Sequence, residues 1–299
     1  MYLGIDWGGT YIKAGLVNNR GKIVKKRVYV SADFKKKQVF IDKIKWLAES
    51  FSKFKIKGIG IGAPGIINIK KGFIYYLPNI PGWKNYPLQS ILRERLKLPV
   101  FINNDANLFA LAESRLGAAK DKSRAIFLTL GTGLGGAVTL DGKILQTEVS
   151  AAELGHIPIS LSGRRCSCGG QGCVETFLGA SFLLARYKQL KKNKANIEEV
   201  KEIFDKALAG EKEALIVWKE FSKNLGRFLA GMVNVFNPQV IVLGGGVAGA
   251  FRLFKPLVWQ VIKEQAMWPQ IKNLKLVKAK LKDAGIIGAA LLAREKEEG

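Results

Sequence analysis

The chain has 299 residues, 48% hydrophobic and 24% charged, an ordinary globular composition with material for one large domain or two medium ones. Its formal net charge of +24 would suit a nucleic-acid partner. The lysines are dispersed, however, over residues 35–37, 53–57, 70–71 and 188–194, with no aromatic-interleaved basic groove and no helix-turn-helix pattern. They read as a solvated surface with no specific nucleic-acid partner and with anionic substrates as secondary beneficiaries.

The first residues, Met1-Tyr2-Leu3-Gly4-Ile5-Asp6, begin a strand at once. No basic segment followed by an apolar stretch precedes it, so no signal peptide is expected and the cytoplasm is the expected compartment. Residues 3–17 read as an apolar strand, a glycine turn carrying Thr10 and a second apolar strand, followed by a further turn at Gly21. That is a β-hairpin pattern. Residues 56–61 form a short apolar run, read as a buried strand, which leads into Gly62-Ala63-Pro64-Gly65. A rigid aromatic loop follows at Pro78-Asn79-Ile80-Pro81-Gly82-Trp83; both segments are also compatible with ordinary turns. Residues 100–102 are another strand, ending at Asn103-Asn104-Asp105, and a helix is predicted over 106–116 with Leu108, Ala112 and Leu116 on one face.

The composition shifts at residues 117–123, the expected hinge. Residues 127–140 then repeat the opening hairpin, with Gly131-Thr132-Gly133-Leu134-Gly135-Gly136 at its tip and a further turn at Gly142. Helical patterns occupy 198–209 and 212–234, a strand at 240–243 enters Gly244-Gly245-Gly246, and a small, apolar closing helix is predicted over 283–293. The uncharged run 228–251 is long enough to span a bilayer. Asn234, Asn237-Pro238-Gln239 and the glycines interrupt it, so a helix end, a turn, a strand and a loop fit better and no membrane association is expected. Strands interleaved with helices argue for two α/β domains. The duplicated hairpin argues that they are related and present equivalent loops to one shared cleft.

Chemistry concentrates at residues 153–175. The only histidine, His156, and all three cysteines, Cys166, Cys168 and Cys173, lie within 18 residues, with Glu153 and Glu175 on either side. Four soft ligands suit a tetrahedral zinc, ahead of iron. The intervening Gly169-Gly170 and Gly172 suit a tight knuckle. An odd cysteine count without a secretion signal argues against a disulfide. Asp6-Trp7-Gly8-Gly9-Thr10 and its repeat at Gly131-Thr132-Gly133 offer backbone amides and hydroxyls to phosphate. Asp6 is placed to hold Mg²⁺, directly or through water. Neither loop is a Walker loop or a dinucleotide fingerprint. Asn103-Asn104-Asp105 could cap the following helix. Capping needs only one such side chain, and a run of three reads as a polar site whose aspartate could take a proton from a substrate hydroxyl attacking a γ-phosphate.

Taken together, Asp6 to Thr10, Gly62 to Gly65, Asn104-Asp105, Gly131 to Gly136, Glu153 to His156 and the Cys-x-Cys-Gly-Gly-Gln-Gly-Cys-x-Glu run at 166–175 resemble the ROK family of repressors, unassigned reading frames and sugar kinases, within the actin-like, hexokinase-type ATPase superfamily. The resemblance runs from Met1 to about Ala293 and is most specific at the cysteine motif. It implies two actin-like, ribonuclease H-like α/β lobes flanking a central cleft, with a small zinc knuckle: a small lobe of 1–117 plus 284–299 and a large lobe of 118–283. It implies an ATP-dependent hexose kinase, with residues 78–85 similar to the glucokinase branch, making glucose 6-phosphate at the entry to glycolysis. Asp105 would be the catalytic base. Gly65, Asn79, Asn104, Glu153, His156 and Glu175 would bind the sugar beside it. Asp6, Gly8, Gly9, Thr10, Gly131, Thr132 and Gly133 would cradle the phosphates of ATP with Mg²⁺, and Gly244 and Gly245 would lie beside the adenosine. His156, Cys166, Cys168 and Cys173 would hold a structural Zn²⁺. A homodimer is implied as well. Kinases of N-acetylmannosamine, N-acetylglucosamine, mannose or fructose, polyphosphate as donor, and a sugar-sensing ROK regulator are the alternatives. The regulators carry an N-terminal DNA-binding region, for which a first strand at residue 2 leaves no expected room.

Overall fold

The structure, a computed structural model, describes residues 1–77, 80 and 82–298. Among these residues the strands are β1 (Tyr2–Trp7), β2 (Tyr11–Val17), β3 (Ile23–Val30), β4 (Gly58–Ala63), β5 (Ile66–Asn68), β6 (Phe73–Tyr76), β7 (Lys84–Tyr86), β8 (Val100–Asn104), β9 (Ala125–Leu130), β10 (Leu134–Leu140), β11 (Lys143–Ile144), β12 (Val240–Gly244) and β13 (Lys275–Lys278). The α-helices are α1 (Lys37–Ser50), α2 (Leu88–Leu96), α3 (Asp105–Arg115), α4 (Glu175–Leu178), α5 (Ala180–Leu190), α6 (Val200–Leu208), α7 (Lys212–Phe236), α8 (Phe251–Gln265), α9 (Trp268–Ile271) and α10 (Ala284–Glu298).

Two five-stranded sheets share one order: β3-β2-β1-β4-β8 and β11-β10-β9-β12-β13. In each, the first two strands make the antiparallel hairpin predicted from the sequence. The next two continue parallel to the first. Parallel pairing requires crossovers, which the helices supply. The central strands β1, β4, β9 and β12 are buried over almost their whole length, as near-continuous apolar runs require. β3 is an exposed edge carrying Lys25, Lys26 and Arg27, charges that discourage further strand pairing.

The chain divides into two compact units. The first contains residues 1–121, 144–152 and the chain from Lys280 onward; the second contains 122–143 and 153–279. The first division, between Asp121 and Lys122, lies within residues 117–123, where the composition shifts. Residues 144–152, expected with the larger lobe, cluster with the first unit. The reason is main-chain pairing beside β5: Ile69 N–H donates to Glu148 O at 2.8 Å, Ser150 N–H donates to Ile67 O at 3.0 Å, and Asn68 bridges Val149.

In the first unit α10 lies so close to the sheet and to α3 that only small residues fit. A Cβ on Gly60 of β4 would sit 1.8 Å from the Ala289 carbonyl oxygen, and one on Gly288 would sit 1.8 Å from that of Leu108. This explains the small, apolar composition of the closing helix, which runs beyond residue 293 to Glu298. The core of this unit centres on Trp7, which stacks on Phe40 at 4.0 Å and meets Trp83 edge-on at 4.7 Å. In the second unit the long helix α7 buries Val217, Trp218, Phe221, Leu225, Leu229 and Val233, and ends at Asn237 in the left-handed region. The uncharged stretch 228–251 is the end of α7, a turn, β12 and a glycine loop. Among the described residues no helix is long and apolar enough to cross a membrane.

Candidate active site

In the first unit the carboxyl ends of parallel strands gather the polar residues, the usual position for a ligand site in an α/β sheet. Asp6 stands near the end of β1, and Asn103 and Asn104 close β8. Asn104 is the N-cap of α3: its side-chain oxygen accepts from the N–H groups of Ala106 (2.9 Å) and Asn107 (3.3 Å). Its amide donates to Gly65 O at 3.4 Å. Asn103 accepts from Asn104 N–H and the Asn107 amide, and donates to Gln146 Oε1 at 3.1 Å. Two of the three polar residues, Asn103 and Asn104, therefore build the corner. Asp105 Oδ1 accepts from Ala106 N–H at 2.8 Å. Burial pushes the Asp105 carboxyl up to about 6, and the neighbouring Asp6 charge pushes the same way. A carboxylate so tuned is ionised at neutral pH yet basic enough to accept a proton.

Asp6 is also raised, by burial first, with Lys13 and Lys26 opposing and Asp283 reinforcing. Asp283 pairs with Lys26 at 2.7 Å. Gly285 fits against Asp6: a Cβ there would lie 2.5 Å from its Cγ. Sequence reasoning missed Lys26, Asp283 and Gly285; the start of a glycine-containing apolar helix was the one available signal. The hairpin tip at Gly9 and Thr10 is exposed. Asn79 lies outside the described residues. Trp83, in the same aromatic loop, is a core residue whose indole N–H donates to Lys35 O at 3.0 Å.

In the second unit His156, Cys166, Cys168 and Cys173 bring their ligand atoms within 4.8 Å of one another. A tetrahedral zinc with bonds of about 2.3 Å to sulfur and about 2.0–2.1 Å to nitrogen requires S···S edges of about 3.8 Å and S···N edges of about 3.5 Å. Cys168 and Cys173 Sγ are 3.7 Å apart, and Cys166 Sγ is 3.5 Å from His156 Nδ1. Gly170 N–H points at Cys168 Sγ, and Gly169 and Gly172 take the left-handed conformations that turn the knuckle. Burial, with the other sulfurs adding to it, pushes the Cys173 thiol up to about 12. A cation among the sulfurs would relieve that repulsion. The donor set and its spacing fit zinc. Nδ1 of His156 faces the sulfurs, which leaves Nε2 for another partner.

Glu153 precedes the short turn Leu154–His156, and its carbonyl accepts from His156 N–H. Glu175 opens α4 and accepts from Leu134 N–H at 2.9 Å, directly after the Gly131-Thr132-Gly133 tip. That tip carries one internal bond, from Gly131 N–H to Gly133 O. Gly244 ends β12, and Gly245 packs on the Leu130 carbonyl, so these glycines sit beside the end of β9 that leads into the tip.

The ROK family model matches residues 2–296. The chain belongs to the ROK family. It is 35% identical to the glucokinase of Thermotoga maritima, covering 99% of this chain and 98% of that one. It is 32% identical to the xylose repressor of Caldicellulosiruptor bescii, covering 95% of this chain and 75% of the repressor. The structure of a ROK family glucokinase from Streptomyces griseus in complex with glucose and AMPPNP superposes with a TM-score of 0.87 at 29% identity, covering 98% and 99% of the two chains. The α/β arrangement described above is thus the ROK kinase fold.

Proposed function

We propose that this ROK protein is an ATP-dependent hexose kinase acting on glucose, with Asp105 as general base. The observation that carries the reading is the Asp105 carboxyl, raised to about 6 at the end of a parallel strand. In the proposed step the sugar 6-hydroxyl oxygen attacks the γ-phosphorus. Its proton passes to Asp105, and the bond to the β-phosphate oxygen breaks to release ADP. Asp6 would hold Mg²⁺, and Gly8, Gly9, Thr10 and the Gly131-Thr132-Gly133 tip would donate to the phosphates. Gly244 and Gly245 would border the adenosine. Gly65, Asn79, Asn104, Glu153 and Glu175 would orient the sugar. Zinc, when bound by His156, Cys166, Cys168 and Cys173, would clamp the knuckle. His156, with Nδ1 towards the metal, keeps its proton on Nε2 and can donate it to a sugar oxygen.

Full-length similarity to named glucokinases supports glucose as the substrate. A panel of hexoses with ATP and with polyphosphate, read by product mass, tests this. Glucose with ATP is expected to give glucose 6-phosphate. No phosphorylated hexose from any pair refutes the kinase reading, and product from another hexose alone refutes glucose. Similarity to a xylose repressor favours a second reading, a sugar-responsive regulator, which predicts sugar binding without transfer. The homodimer belongs to the same proposal, and light scattering on the purified chain reads it directly.

A further inference from the structure

We propose that Glu175 is a positioning residue that ties the metal knuckle to the second glycine loop, so that nucleotide affinity depends on the knuckle. The proposal rests on the kinase reading for the identity of the ligand. One carboxylate spans both features. Its Oε2 accepts from Leu134 N–H at 2.9 Å. Its Oε1 accepts from Ser167 Oγ at 3.4 Å and lies 3.7 Å from Cys166 Sγ. Glu175 is thus held to the knuckle through Ser167, beside Cys166, on one side and to the glycine tip on the other.

The tip is held at both ends by the frame of the knuckle. Ala180, just beyond α4, donates its N–H to Gly131 O at 2.9 Å, while Glu175 holds Leu134. Gly133 has a packing reason to be glycine that is separate from phosphate: a Cβ there would lie 2.1 Å from Glu175 Oε2. Between Glu153 and His156, Gly155 fits under the Leu134 carbonyl, where a Cβ would lie 2.0 Å from the oxygen. Against these supports, the one bond within the tip is weak restraint. Released from them, the loop would have to be ordered by the ligand, and the apparent affinity falls with the fraction of loops already competent. A hydrogen bond to a charged acceptor sets that fraction by about tenfold or more. A carboxylate has about four acceptor positions, so these contacts leave room for a sugar hydroxyl as well. The role is therefore tested without sugar.

The experiment titrates AMPPNP with Mg²⁺ into the full chain by calorimetry, with metal content measured on the same samples. Glu175→Ala is expected to keep its metal and to bind AMPPNP about tenfold or more weakly. Glu175→Gln is expected to recover most of that affinity, because its amide oxygen still accepts from Leu134 N–H. Gly133→Ala, which displaces the carboxylate with every metal ligand intact, is expected to weaken binding likewise, and it decides alone if Glu175→Ala does not fold. Wild-type affinity in Glu175→Ala or in a folded Gly133→Ala overturns the proposal and leaves the kinase reading standing. Weakened binding in Glu175→Ala without recovery in Glu175→Gln overturns the assigned hydrogen bond. A wild-type chain that binds no nucleotide overturns the kinase reading and this inference with it.

Discussion

The raised Asp105 predicts a variant that is more stable and less active at the same pH. Asp105→Asn keeps the shape of the side chain and an oxygen for the Ala106 N–H, and removes the charge. Between an ordinary aspartate and a carboxyl at about 6, the ionised form in the folded chain is disfavoured by about 3 kcal/mol. The sign follows from linkage. The folded-state value is the higher one, so the native chain holds this proton more tightly than the unfolded chain does. The wild type therefore loses stability as pH rises from about 4 to about 6, and the loss is complete above that. Asp105→Asn escapes it: no gain at about pH 4, and a gain approaching about 3 kcal/mol at about pH 7. Urea unfolding followed by circular dichroism, repeated across this range on both proteins, reads the difference, and titrations of groups distant from Asp105 cancel in it. Phosphoryl transfer should fall by about 10²–10⁴-fold in the same variant. A difference that is flat with pH, or a variant less stable at neutrality, refutes the reasoning.

Gly285→Ala would place a Cβ against the Asp6 carboxylate. It should raise the Mg²⁺ needed for half-maximal activity; a Mg²⁺ titration identical to wild type would rule out the assigned place of Asp6. Glu113, fully buried, accepts from the N–H groups of Ala118, Lys280 and Leu281, near two points where the chain passes between units. Glu113→Gln should destabilise by about 1.5–3 kcal/mol and lower Tm by about 5 °C; an unchanged melt would show that the charge is not needed. Cys168→Ser should release the metal, lower Tm and weaken both sugar and nucleotide binding, and retained metal by elemental analysis would contradict the ligand set.

Local chemistry was readable from the chain alone. Both glycine-tipped hairpins, the strand into Gly244, the helix α7 and the Asp105 corner are encoded within short stretches, where side-chain period and turn residues decide conformation. The cysteine–histidine cluster was readable for the same reason, since its four side chains lie within 18 residues. α1 went unassigned although Phe40, Ile41, Ile44, Leu47 and Ala48 form a buried helical stripe, because lysines crowd the spaces between them. Trp83, read as part of an ordinary aromatic turn, is a core anchor in the fold, and Asn104 takes the capping place that its position before the helix allowed. The remaining features came from residues far apart in the chain: Gly285 against Asp6, Leu134 on Glu175, Glu148 and Ser150 beside β5. Proton affinities belong with these. Asp105 is an ordinary aspartate in the sequence, and only burial, with Asp6 beside it, raises its carboxyl to about 6. Periodicity and turns act over a few residues, whereas desolvation and close approach exist only once distant segments have packed.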